Sequence, residues 1–292
     1  QTEQLSPLSS RPTYTETEND LTVKANKRTF IFSKKDGQLK GVSVDNRKIS
    51  FANGPRFIGA RRADRSLDQF YNHDDEKAKE KDRTYSEFPD AAVFTKLDVK
   101  QDGGDLIVTA NYKLGNLDKA QWTINPSGDL ALDYTYNFSG VVDLMGIRFD
   151  YPEDQVISKR WLGAGPYRVW QNRIHGTQYD VWENDYNDPI PGETFTYPEF
   201  KGYFGNVFWM NIQTKEGTIS LTNETPDAYI GVYQPRDGRD RLLYTLPESG
   251  ISVLNVIPPV RNKVNSTDLC GPSSQPKWVN GPQTGRVIFR FM

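Results

Sequence analysis

From Leu21 to the end of the chain, apolar positions recur at every second residue, and that period decides the fold class. Leu106, Val108, Ala110 and Tyr112 alternate with their neighbours in one run. Leu130, Leu132, Tyr134 and Tyr136 do so in a second, and Val287, Phe289 and Phe291 in the closing one. Successive side chains of an extended strand point to opposite faces, so such runs predict half-buried β-strands. Turn clusters separate them, Lys35-Asp36-Gly37 between residues 29–32 and 39–44, and Asn125-Pro-Ser-Gly128 before Leu130. Asp36-Gly37 predicts a hairpin whose turn uses the positive φ angles of that dipeptide. No stretch carries the apolar spacing of an amphipathic helix of ordinary length. The chain is therefore expected to be all-β and antiparallel, with stacked sheets, because a single sheet cannot bury both its faces. No internal repeat of the kind that builds a propeller is visible.

Residues 1–20 are rich in Ser, Thr, Pro and Glu and read as a linker or flexible N-terminal segment. Residues 21–292 then read as one β-sandwich domain. The chain opens on Gln1 without a signal-peptide pattern, which leads us to expect a processed chain or a piece of a longer one. A formal charge of −2 with interspersed signs leaves no basic block to neutralise phosphates, so nucleic acid is not an expected partner. The mixed-charge run 74–83 reads as a solvated loop or short helix. No apolar run approaches the roughly 18 residues of a membrane span. The single cysteine, Cys270, forbids an internal disulfide or a cysteine zinc cluster. With only His73 and His175 besides, no metal site and no cofactor are expected.

One stretch stands out chemically. Trp161-Leu-Gly-Ala-Gly-Pro-Tyr-Arg-Val-Trp-Gln-Asn-Arg173 continues through His175 to Trp182-Glu183-Asn184-Asp185, and holds three of the six tryptophans. Gly163, Gly165 and Pro166 break helical periodicity, so the stretch reads as a strand ending in a tight, aromatic-walled loop. Aromatic faces beside Arg, Asn, His and Glu offer a sugar both stacking surfaces and hydroxyl partners. The plainer reading makes Trp161 and Trp170 core residues and sets Arg173 to capping loop carbonyls.

Trp161-Leu-Gly-Ala-Gly-Pro166 with Asn172-Arg173 resembles the Trp-x-Gly-x-Gly-Pro signature of the C-terminal, small-chain domain of family 2 glycoside hydrolases, the lacZ-like β-galactosidases. The family's Glu-Asn-Tyr is replaced here by Arg168-Val169-Trp170, and its Asp before the Arg by Asn172. Upstream, Gly54-Pro55-Arg56 followed by Arg62-Ala63-Asp64 resembles a second family motif, shortened and lacking its Pro and full acidic tail. The resemblance implies a large antiparallel β-supersandwich of the galactose mutarotase type. It also implies an accessory domain that packs on a catalytic (β/α)₈ barrel, with carbohydrate and the other domains of a longer chain as partners. A retaining glycosidase needs two carboxylates about 5–5.5 Å apart. In the family both sit in a barrel of about 250 residues, whose strand–helix alternation has no counterpart in this sequence.

The family's domain borders the barrel mouth, with a tryptophan near the C-terminus after a Gly-rich stretch. The matching segment here is Cys270-Gly-Pro-Ser-Ser-Gln-Pro-Lys-Trp278, with Ser273-Ser274 in place of an acidic pair. Expected carbohydrate-binding residues are thus Asp64, Arg65, Trp170, Arg173, His175, Trp182, Glu183 and Trp278, with Tyr71 in the loop after Asp64. Two alternatives stand beside this one. A stand-alone aldose 1-epimerase needs an acid and a base on opposite sides of the sugar, for which His175 and Glu183 are the available pair. An independent carbohydrate-binding module could draw on Tyr203, Phe204, Phe208 and Trp209, although strand alternation there predicts Phe208 and Met210 inward and Trp209 outward.

Overall fold

The computed structural model describes residues 10–62, 85–185, 202–232, 247–259 and 271–292. Among them the chain runs through β1 (Thr13–Glu16), β2 (Asp20–Ala25), β3 (Arg28–Ser33), β4 (Leu39–Val44), β5 (Arg47–Ile49), β6 (Ala52–Arg62) and β7 (Tyr85–Glu87). There follow β8 (Val93–Asp102), β9 (Asp105–Lys113), β10 (Leu117–Ile124), β11 (Leu130–Val142), β12 (Leu144–Asp150), β13 (Val156–Gly165) and β14 (Gln178–Asp185). The last are β15 (Trp209–Thr214), β16 (Gly217–Asn223), β17 (Tyr229–Gly231), β18 (Ile251–Val256) and β19 (Lys277–Phe291). The only helical pieces among the described residues are short 3₁₀ turns at Glu153–Gln155 and Pro272–Ser274, so no helix there is long enough to cross a membrane.

The strands form two sheets. One is ten-stranded, in the order β1-β2-β3-β4-β6-β12-β18-β17 with β5 on β4 and β7 on β6. The other is nine-stranded, in the order β14-β13-β15-β16-β19-β11-β10-β9-β8. The alternation read from sequence is the packing pattern. Leu106, Val108, Leu130, Leu132, Tyr136, Val287, Phe289 and Phe291 are buried between the sheets. Aromatic rings dominate that interior: Phe51 stacks on Phe149 at 4.6 Å, and Phe149 meets Phe289 edge-on at 5.4 Å. Offset and edge-to-face contacts of this kind add about 0.5–1.5 kcal/mol per pair beyond the area they bury.

Two local expectations are corrected. Thr13–Glu16, inside the segment read as linker, is an edge strand paired with β2. All four of its residues are exposed, so no hydrophobic pattern announces it. At Asp36-Gly37 only Gly37 takes a positive φ (74°). The turn is wider than a two-residue hairpin, closing through Ser33 N to Gln38 O at 2.9 Å, with the Asp36 carboxylate accepting from Gln38 N at 3.1 Å. A glycine at the left-handed position of a longer loop is the common alternative to the two-residue turn.

The sheets are joined where function was expected. Strand β11 ends at Val142 in one sheet and β12 starts at Leu144 in the other, so Asp143 sits at the crossing, with 0% of its surface exposed. Its carboxylate accepts from Arg62 N at 2.9 Å and faces the Arg61 guanidinium at 3.7 Å; its own N–H donates to Ala60 O at 3.0 Å. The crossing thereby holds the end of β6.

Candidate functional site

The first motif builds a strand whose glycines are required by packing. A Cβ on Gly163 would sit 3.0 Å from Asn206 O, and one on Gly165 would overlap the Trp182 ring. Trp182 therefore lies flat against the backbone of the motif, and its indole N–H points at Gly163 O and Gln178 O (3.2 and 3.3 Å). Trp161 faces the main core, edge-on to Phe204 at 4.8 Å, and its N–H donates to Ala164 O at 3.0 Å. Both the Gly54–Pro55 and Gly165–Pro166 peptides, one in each motif, are cis.

Beyond Gly165 the loop folds back over the ten-stranded sheet. Val169 exchanges backbone hydrogen bonds with Tyr203 (2.7 and 2.8 Å), and Arg173 N donates to Trp170 O at 2.8 Å to close a turn. Val169, Trp170 and Tyr203 make a second, smaller core with Ile58 and Ala60 of β6, Leu144 of β12 and Leu254 of β18. Strand β6 is consequently covered on both faces: Phe57 points into the main core and Ile58 into the small one. This cluster is what brings the two sequence motifs together.

A third segment joins them. The Gln171 side-chain amide donates to Ser273 O and Gln275 O (2.9 and 2.8 Å), Asn172 donates to Ser274 Oγ at 2.9 Å, and Gln171 N donates to Pro258 O at 3.1 Å. Just beyond, Lys277 and Trp278 pair with Val142 and Val141, next to the crossing at Asp143. The end of β6, the loop after β13 and the start of β19 thus meet at one end of the sandwich.

The expected site residues fall into distinct environments there. Trp278 is 71% exposed, a large apolar ring held out into solvent. Trp170, by contrast, is 2% exposed and packs edge-on to Tyr203 at 5.7 Å, so its ring is part of the small core. Arg173 and His175 are exposed on the loop, and Glu183 is exposed on β14 opposite Arg160. His175 precedes the first residue of β14, whereas Glu183 lies five residues along it from Gln178, about 17 Å of extended chain. Asp64, Arg65, Tyr71, His73 and Cys270 lie outside the described residues. Of the extra aromatics, Tyr203 and Phe204 are buried, Met210 points inward as expected and Trp209 is half-buried. Phe208 is 52% exposed rather than inward, because β15 starts only at Trp209 and the strand alternation does not reach it.

Two buried cations were not anticipated. Lys159 and Arg168 lie over the Phe204 ring at 5.8 and 5.9 Å from its centroid, and Lys159 Nζ donates to Asp185 O at 3.2 Å. Arg168 stands where the family motif carries Glu, and that substitution was the signal available in the sequence. On the nearby wall, burial pushes the Tyr229 hydroxyl above its ordinary pKa, with Asp227 adding to the effect. Among the described residues no three His, Cys, Asp or Glu side chains are grouped to hold a metal ion.

Comparison with known proteins agrees with this architecture. A galactose 1-epimerase from Lactobacillus acidophilus NCFM superposes with a TM-score of 0.54 at 10% identity, covering 97% of this chain and 99% of that one. A galactose mutarotase-like protein from Lactobacillus casei ATCC 334 aligns at 12% identity over 94% and 100% of the two chains, with a TM-score of 0.42. At such identities the first likeness shows the fold alone, a galactose mutarotase-like β-supersandwich. A comparison with curated protein sequences gave no match. The profile of the beta galactosidase small chain matches residues 24–258, most of the molecule, and it spans both motifs and the loop that joins them. The chain belongs to the beta-galactosidase small chain family.

Proposed function

We propose that the two sheets, from the edge strand at Thr13 onward, form a single accessory domain of a family 2 glycoside hydrolase, and that the domain walls the carbohydrate site of a catalytic barrel carried elsewhere in the parent protein. The observation that carries this reading is Trp278. Among the tryptophans picked out by sequence, Trp161 and Trp170 are buried and Trp182 lies on glycine backbone, while Trp278 keeps its ring in water. Exposed large apolar surface is the informative exception in a folded domain. This ring stands where both family motifs meet, beside the Ser273-Ser274 turn that Gln171 and Asn172 hold in place. Its role is to stack against the sugar that leaves the barrel, with Arg173 and His175, exposed on the loop that Gln171 and Asn172 tie to the same turn, as the partners of its hydroxyls. The segment carrying Asp64 and Arg65 departs from Arg62 at the same end.

The reading is tested in the parent enzyme by steady-state hydrolysis of a galactoside. Trp278→Ala is expected to raise KM or to change the partition between water and sugar acceptors, with the melting temperature unchanged. Unaltered kinetics in that variant would overturn the wall role.

A further inference from the structure

A groove lies well away from Trp278, on the side of the nine-stranded sheet turned from the core. Leu132 and Val287 are a buried cross-strand pair, so their neighbours Asp133 and Arg286, also paired, face outward. The Arg286 guanidinium is held in a fork, donating to Asp133 at 2.5 Å and pairing with Glu224 at 3.0 Å. These three residues, with Lys119, wall a concavity of about 390 Å³. Its floor is Gly285, whose missing side chain makes room for the Tyr134 hydroxyl. Tyr134 is 2% exposed, and its hydroxyl faces Thr225 without a well-formed hydrogen bond among the described residues. Over Glu224 and Pro226 the groove continues into a second concavity of about 250 Å³, lined by Tyr179, Phe208, Asn206 and Asp227. Tyr179 and Phe208 are 61% and 52% exposed.

We propose that this groove binds a neutral oligosaccharide, as a site separate from the wall at Trp278. Two exposed aromatic rings at one end offer faces to pyranose rings, and the fixed Arg286 fork at the other offers donors and acceptors to vicinal hydroxyls. Each concavity, or the two together, falls near the size range of small-ligand sites. The charges decide the ligand class. Lys119 and Arg286 stand against Asp133, Glu224 and Asp227, so the groove has no excess positive charge to draw an anion. An apolar protein surface laid here would strip water from Asp227 and Asn206 and offer them nothing in return, whereas sugar hydroxyls supply partners. Trp278 lies six residues along β19 from Thr284 at the groove wall, about 20 Å of strand. The proposal does not rest on the accessory role.

The test is calorimetric titration of the chain itself with β-1,4-galactotriose, and with trigalacturonate as the anionic comparator. The expected result is millimolar binding of the neutral sugar, weakened about three- to tenfold by Tyr179→Ala or by Phe208→Ala and unchanged by Tyr14→Ala, an exposed ring on the edge strand β1 of the other sheet. Both substituted rings are exposed, so the variants keep the fold, which a melting curve checks. No binding at tens of millimolar, tighter binding of the anion, or binding lost in Trp278→Ala but kept in Tyr179→Ala would each overturn the site. Failure here would leave the Trp278 wall standing, since that reading is measured through the parent's kinetics.

Discussion

Replacing Trp170 with alanine separates packing from recognition in the loop that joins the two motifs. The ring is 2% exposed, lies on Ile58, Ala60, Leu144 and Leu254, and meets Tyr203 edge-on at 5.7 Å. A tryptophan buries about 150–250 Å², which at about 25 cal/mol per Å² is worth roughly 4–6 kcal/mol, an upper figure because the unfolded chain already hides some of that area. Tryptophan-to-alanine changes in cores cost about 3–5 kcal/mol, and we expect that range here. For a domain of this size, about 2 °C of melting temperature per kcal/mol puts the loss at about 6–10 °C. Trp278→Ala, at a ring that is 71% exposed, should stay within about 0.5 kcal/mol of the parent. Calorimetric melting of both variants is the assay. A Trp170→Ala protein melting within about 1 °C of the original, or a Trp278→Ala protein destabilised as much, would refute the assignment of these two rings.

Three further outcomes follow from other contacts. Gly165→Ala drives a Cβ into the Trp182 ring and should cost about 1–3 kcal/mol, with a shift in tryptophan fluorescence as the indole is displaced. Glu216 ties the sheets together, accepting from Ser50 N (2.8 Å), Ser50 Oγ (2.5 Å) and the Tyr151 hydroxyl (3.1 Å). Glu216→Gln should cost about 1.5–3 kcal/mol of stability, read as a lower urea midpoint at unchanged slope. The Arg290 fork on Asp129 (2.7 and 2.6 Å) holds that carboxyl below the usual carboxylate range. A depressed folded pKa contributes stability above the unfolded value of about 3.9 and loses it as pH falls through the folded one. Asp129→Asn should therefore be less stable than the parent at pH 7, by under about 1 kcal/mol for so exposed an arginine, and the difference should close in acid.

The sheets were legible because burial follows the strand period directly, as at Leu130, Leu132, Tyr134 and Tyr136. Elements that bury nothing left no such trace: Thr13–Glu16 is exposed throughout and is held by backbone pairing alone. The glycines of the Trp161 motif were visible, but the reason for them, the Trp182 ring lying on Gly165, depends on a hairpin return that no local pattern encodes. Trp170 and Trp278 look alike as letters. What divides them is a contact between residue 170 and residue 58 in one case and its lack in the other, and such long-range pairing is set by topology. The burial of Arg168 and Lys159 is not legible in the sequence, because sequence patterns assign cations to the surface, whereas here both flank a buried ring.

The most direct measurement is polarimetry of freshly dissolved α-galactose with the purified chain, with chromogenic galactoside hydrolysis followed in the same sample. A chain that melts cooperatively yet leaves both rates at the buffer value is the predicted result for an accessory domain whose chemistry lies in another part of the parent. Mutarotation above buffer that falls in His175→Ala and Glu183→Ala would contradict it, and would make this fold an epimerase in its own right.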